Sequence, residues 1–190
     1  EVSHVLRAIN NMTIVSPADN FETAEVIKQS LDYDKPLFIR YGKKPTLNLH
    51  KEGQKFKIGK AIVVNQGDDI VLIATGETVQ RAYLASQILK NEGLNATVIS
   101  MHTIKPFDKE TFLEAVSSAK VLISLEEHSI YGGLGEMCAS ILSQEKISIN
   151  FKILGIPDEY MINGSQSEVL DHYDMDPNKI SELAKFLINK

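Results

Sequence analysis

The feature that most constrains the fold is an alternation. Short apolar runs are each followed by a longer segment whose apolar residues recur at helical intervals. "DIVLIATG" leads into "ETVQRAYLASQILKNEG", where Val79, Ala82, Tyr83, Ser86 and Leu89 share a face and Gly93 terminates. "NATVISMHTI" precedes "KETFLEAVSSA", with Phe112, Ala115, Val116 and Ala119 on one stripe. "KVLISLEE" precedes a glycine turn and a helix that carries Leu134, Cys138, Ile141 and Leu142 inward. A strand with apolar residues on both faces belongs inside a parallel sheet covered by helices on both sides. The pattern therefore predicts a doubly wound, mostly parallel α/β sheet. "INFKILGIPD" alternates instead, which suits a strand with one wet face at the sheet edge. A last helix is expected from the Asp176 cap and Pro177 through Ile180, Leu183, Ala184 and Leu187.

Ahead of this lies a smaller piece. After a helical fragment containing Val5, Leu6 and Ile9, "MTIVSPA" reads as a buried strand. "DNFETAEVIKQSL" reads as a helix with Phe21, Ala24, Ile27 and Leu31 inward, Asp19 as cap and Glu22 at capping-box spacing. "KPLFIRYG" is a second strand, so the three form a βαβ unit. From Lys43 to Lys60 lysine, glycine and isolated apolar residues suggest a linker with at most one weak edge hairpin. The expected division is 1–43, a partial βαβ piece; 44–60, linker; and 61–190, the main α/β domain. A βαβ piece without the rest of its sheet is a stability concern.

A chain of 190 residues with 43% hydrophobic content can build a proper core, and its net charge of -5 gives no electrostatic reason to expect nucleic acid or an anionic membrane as partner. One cysteine cannot form an internal disulfide, and no apolar run approaches the roughly 18 residues of a spanning helix, so the cytoplasm is the default compartment. The sequence begins at Glu1, which suggests a start inside a longer polypeptide.

Two places carry candidate chemistry. Glu126, Glu127 and His128 fall at the carboxyl end of a strand, where open α/β sheets bind ligands, and Gly132 and Gly133 follow in "GGLG". They could form a strand-end pocket or interface. The plainer alternative is a tight strand-to-helix turn in which a carboxylate caps backbone amides. Arg40, at the end of "PLFIRYG", could hold a phosphate bidentately or form a salt bridge, and position alone does not separate the two. His4, His50, His102, His128 and His172 lack metal-site spacing, so no metal ligands are assigned. Cys138 fits a packed thiol better than a nucleophile. Lys105, before a proline, could meet a phosphate or simply be solvated.

Taken together, "NNMTIVSPADNFETAEVI", "KPLFIRYGK", "VISMHTIKPFDKET", "LISLEEHSIYGGLGE" and "ILGIPDEYMINGSQSEVLDHYDMD" resemble, in order, the C-terminal part of the thiamine-diphosphate-dependent transketolase family. The wording is most similar to transketolases, including those split into two subunits, with 1-deoxyxylulose-5-phosphate synthases as the alternative. The resemblance implies that 1–43 is the end of a pyrimidine-binding domain and 61–190 a complete C-terminal domain. It implies transfer of a two-carbon ketol unit between sugar phosphates. Thiamine diphosphate and Mg would belong to the complete enzyme, with no catalytic or cofactor-binding residue in this chain and neither group bound to it alone. It also implies an N-terminal portion or subunit as partner and a homodimer. Arg40 matches the family arginine that contacts the substrate phosphate. A reading of a different class is a non-catalytic ligand-binding or dimerisation module built on the "EEHSIYGGLG" edge.

Overall fold

The computed structural model describes residues 2–42, 46–50 and 53–190. Its main sheet has five strands: β3 (Ile62–Asn65), β4 (Ile70–Ala74), β5 (Ala96–Ser100), β7 (Val121–Ser129) and β8 (Asn150–Ile156) in the order β3-β5-β4-β7-β8. β5, β4, β7 and β8 run parallel, and β3 closes one edge antiparallel. The alternating strand is β8, at the opposite edge as expected. On β4, Ile70, Leu72 and Ala74 point into one core, and Val71 and Ile73 into the other. The first core is covered by α3 (Thr78–Asn91) and α7 (Pro177–Ile188), the second by α4 (Lys109–Val116) and α5 (Leu134–Gln144). Helices on both faces make the sheet doubly wound. Fully burying one such aliphatic or aromatic side chain contributes about 1.5–3 kcal/mol.

Helix boundaries follow local chemistry. Asp176 accepts from the Asn178 and Lys179 amides at the start of α7, with Pro177 in the first turn. Asp108 caps α4 through Thr111. α6 (Gln166–His172), which apolar periodicity did not reveal, is opened by a capping box between Ser165 and Glu168.

The second sheet corrects several expectations. β1 (Thr13–Val15) pairs parallel with β2 (Leu37–Ile39), with α2 (Asn20–Ser30) between them, and antiparallel with β6 (Thr103–Lys105). "NATVISMHTI" is thus two strands: β5 stays in the main sheet, and after Met101 and His102 the chain crosses to the other sheet as β6. The βαβ piece is supplied with a third strand by the main domain. β3 was not anticipated, because "AIVVN" follows directly on the lysine-rich stretch. Of that stretch, residues 43–45 and 51–52 lie outside those described; Phe56 and Ile58 are buried with Val15 and Val26, while Gln29 bonds both the Phe56 carbonyl and the Ile58 amide.

The stripe proposed for α2 also fails. Ile27 and Leu31 are exposed, and the face turned inward carries Glu22 and Val26. Glu22 is fully buried because it has polar partners there, which apolar periodicity cannot register. Its carboxylate accepts from the Ala18 amide at 2.6 Å, one residue before the capping-box position, while Asp19 accepts from the Glu22 amide. Likewise Val5 and Ile9, around α1 (Val2–Arg7), are exposed.

Candidate functional site

In an open α/β sheet the ligand crevice lies where the strand order reverses, here between the carboxyl ends of β4 and β7. The N-terminal sheet fills that crevice. The Gly76 amide, just beyond β4, donates to the Ser16 carbonyl at 3.1 Å, and the Ser16 amide donates to the His102 carbonyl at 2.7 Å. Gly76 has φ +59°, and a Cβ there would collide with the Glu127 carboxylate and the Ser16 hydroxyl. Only glycine allows this approach.

Arg40 meets Glu127 at this junction. Just past β2, the Arg40 backbone amide donates to the Val15 carbonyl of β1 at 2.9 Å. Its Nη1 forms an ion pair with Glu127 Oε1, and Gln166 of α6 donates to the other carboxylate oxygen at 2.8 Å. Glu127 is buried, and burial pushes its carboxyl above the ordinary range although Arg40 pulls the other way. Among the described residues, Glu127 is the only hydrogen-bond partner of the Arg40 side chain, which leaves donors free of the guanidinium's five. Arg40, Tyr41, Glu127, Met161 and Gln166 line a cavity of about 530 Å³. The sequence left Arg40 between a salt bridge and a phosphate contact; the structure shows the salt bridge beside an open cavity.

Glu126 serves the next turn. Its oxygens accept from the Leu134 amide at 2.8 Å and the Gly135 amide at 3.1 Å, doing for α5 what Gly133, the residue at the cap, cannot. A Cβ at Gly133 would collide with that carboxylate. Arg7 donates to the carbonyls of Gly132 and Gly133 at 2.6 and 2.5 Å, which ties α1 to the same turn. Burial raises the Glu126 pKa to about 7, against the two amides.

His128 lies beside Glu126, buried, and neither ring nitrogen has a hydrogen-bond partner among the described residues. Burial and then the Arg40 charge lower its pKa to about 3, so the imidazole is neutral. His4 brings its ring centroid to 5.2 Å from that of His128, nearly perpendicular, and its Nε2 to 3.9 Å from Glu126 Oε2. The donor atoms of His4, Glu126 and His128 lie within 4.8 Å of one another, the one cluster among the described residues able to hold a metal ion. Sequence spacing missed it because His4 comes from another sheet's approach helix.

A second carboxylate–histidine group was also missed. His50 Nε2 bonds Glu22 Oε1 at 2.9 Å and lies 3.7 Å from Asp19, and the Ser100 hydroxyl donates to the same Glu22 oxygen at 2.6 Å. Burial alone would raise the Glu22 pKa, but the His50 bond, the nearby His102 charge and the Ser100 bond outweigh it and lower it. Burial would lower His50, yet Glu22 and Asp19 raise it. His102 stacks on Phe56 and bonds Thr103 through Nδ1.

Two other sequence candidates find structural employment. Lys105 donates to the carbonyls of Arg7 and Ile9 at 2.9 and 2.6 Å. Cys138 is buried among Leu134, Ile141 and Leu142, and burial raises its thiol well above the usual value. Mg and a diphosphate call for oxygen ligands around the metal, whereas the one metal-competent cluster among the described residues is imidazole-rich. The described residues do not fit the thiamine diphosphate site.

Residues 59–180 match the transketolase C-terminal domain family. The chain is 35% identical over 98% of its length to an apulose-4-phosphate transketolase subunit of Phocaeicola vulgatus, and spans 59% of that protein. It is 34% identical over 93% of its length to 1-deoxy-D-xylulose-5-phosphate synthase of Dictyoglomus turgidum, spanning 29% of it. A solved structure described as a split gene transketolase, inactive beta4 tetramer, superimposes with a TM-score of 0.90 at 26% identity, over 98% of this chain and 61% of that one. No helix among the described residues is long and apolar enough to cross a membrane. With the ordered sequence motifs, the doubly wound sheet and these matches in agreement, the chain belongs to the transketolase C-terminal domain family.

Proposed function

We propose that this chain is the C-terminal portion of a cytoplasmic, thiamine-diphosphate-dependent transketolase-type transferase, completed by an N-terminal polypeptide and assembled as a homodimer. Within it, 1–43 ends the pyrimidine-binding domain, 44–60 links, and 61–190 is the C-terminal domain. The reaction breaks a ketose carbon–carbon bond, releases an aldose and joins the two-carbon unit to an aldehyde acceptor. The cofactor supplies the carbanion stabilisation for this chemistry when bound by the complete enzyme. This chain's contribution is to hold the phosphate end of a sugar phosphate.

The observation that carries this reading is Arg40, held at a strand end beside a cavity by Glu127, whose other carboxylate oxygen accepts from Gln166. A guanidinium anchored through one nitrogen keeps the rest of its fork for phosphate oxygens. Exposed Tyr41, Tyr160 and Met161 supply apolar surface on the same side, which supports a partner polypeptide there.

The test is steady-state kinetics of the complex with the N-terminal polypeptide. A hydrogen bond to a charged group contributes about 1.5–3 kcal/mol, so Arg40→Ala should raise KM for a phosphorylated acceptor by about 10–100-fold. A non-phosphorylated aldehyde acceptor should be used nearly unchanged. Equal KM values for wild type and variant would remove Arg40 from the site. The similarity to a 1-deoxyxylulose-5-phosphate synthase favours a second reading, in which pyruvate is the donor. Carbon dioxide release from pyruvate with glyceraldehyde 3-phosphate would select it.

A further inference from the structure

We propose that His4, Glu126 and His128 form a binding site for a divalent transition-metal cation of zinc type. The donor set comes first. Two imidazoles and one carboxylate suit zinc and its neighbours, whereas calcium and magnesium take oxygen ligands. Zn2+ takes imidazole nitrogen at about 2.0–2.1 Å and carboxylate oxygen at about 2.0–2.2 Å. Three donor atoms within 4.8 Å of one another are already converged on a common centre, and small side-chain rotations complete the approach.

The second observation is His128 itself. It is 4% exposed, and neither ring nitrogen has a hydrogen-bond partner among the described residues. Burying an imidazole without partners costs free energy that a ligand can recover. A metal ligand must present a lone pair, and an imidazole with both nitrogens unbonded has one to offer.

The carboxylate is positioned in the way ligands usually are. The Leu134 and Gly135 amides hold Glu126 at the start of α5, fixing the plane of the group. His4 stands at 3.9 Å from it through Nε2, with its ring edge-on to that of His128. Arg7, the cation that acts on Glu126, is engaged by the carbonyls of Gly132 and Gly133. His128 also lines a cavity of about 400 Å³ with Ser3, Phe38, Met161 and the paired Arg40 and Glu127, which gives a cation a route in.

The experiment uses the tag-free intact protein, stripped with chelator and free of thiamine diphosphate, titrated with Co2+ and then Zn2+. The expected result is one Co2+ per chain, with visible ligand-field bands that Zn2+ abolishes by displacement. Losing even an outer-shell partner of a metal ligand weakens affinity by about 10–100-fold, so His4→Ala and His128→Asn should each lower it by at least that much. X-ray absorption on the zinc-loaded wild type supplies a readout independent of any variant's folding: two imidazoles in the first coordination sphere. Absence of saturable Co2+ binding overturns the proposal. So does a zinc sphere without two imidazoles, or affinity unchanged in both histidine variants.

Discussion

Two carboxylate–histidine clusters sit at opposite sides of the junction between the sheets, and they differ in how completely their polar atoms are used. Around Glu22 each carboxylate oxygen has a donor: the Ala18 amide on one, His50 and Ser100 on the other. Around Glu126 the carboxylate is engaged by two amides, yet the buried imidazole of His128 bonds to nothing described. The same residue types therefore do different work. A saturated buried cluster holds a particular arrangement in place, here α2 against β5 and the segment carrying His50. An unsaturated one costs stability unless something else fills it.

Removing the saturated carboxylate should have the largest effect. Glu22→Ala leaves His50, Ser100 and the Ala18 amide without their acceptor in a buried site. Breaking a buried pair from one side costs about 3–5 kcal/mol. Urea unfolding should show that loss, with the midpoint moving and the slope unchanged. A loss below about 1 kcal/mol would mean that the cluster is no keystone.

The pH dependence of the same pair gives the next effect. His50 is raised above its ordinary value of 6.5, so its stabilisation is complete below that pH and is lost as pH rises through the folded-state pKa. Glu22 is lowered below 4.5, so its stabilisation is present above that pH and is lost as pH falls through its folded-state pKa. The pair thus contributes most between about 4.5 and 6.5. Subtracting the unfolding free energies of His50→Gln from wild type isolates it from other titrations. The difference should shrink as pH rises from 6 towards 9. A difference independent of pH would place a neutral imidazole beside Glu22.

Much of the scaffold was legible because hydrophobic periodicity reports burial against apolar neighbours. β4 and β7, with both faces buried, and β8, with one face wet, could be read directly, as could the Asp176 cap. What escaped depends on contacts distant in sequence. Glu22 sits at a position that periodicity assigns to the polar face, and only His50 and Ser100, 28 and 78 residues away, make its burial tolerable. The crossing at Met101 and His102 is silent, since apolar residues continue on both sides of it. At the site, Glu127 and Arg40 were each visible at a strand end, but not that they pair across 87 residues. His4 was invisible as a partner of His128 for the same reason.

On the other cluster, Glu126→Ala should be milder than Glu22→Ala. It removes the acceptor for two amides at the start of α5, a capping loss of about 0.5–2 kcal/mol. It also removes a carboxylate that burial disfavours, which offsets part of that loss. Hydrogen exchange should quicken at the Leu134 and Gly135 amides first. Unchanged protection there would assign the cap to another group.

The smallest effect, and the sharpest contrast, is expected at His128. Replacing it with leucine keeps an apolar side chain of similar bulk and breaks no hydrogen bond among the described residues. Exchanging an unsatisfied polar group for an apolar one is nearly neutral or stabilising, so in metal-free buffer His128→Leu should match wild type or gain up to about 1 kcal/mol. His50→Leu, by comparison, should lose stability, because it strips Glu22 of a partner. Zinc should then reverse the order at position 128: ligand at 100 times Kd stabilises the wild type by about 2.7 kcal/mol and leaves the leucine variant where it was. Thermal unfolding with and without Zn2+ measures both quantities on the same two proteins. If leucine costs more than about 1 kcal/mol without metal, the imidazole already has a partner and the two clusters are alike after all.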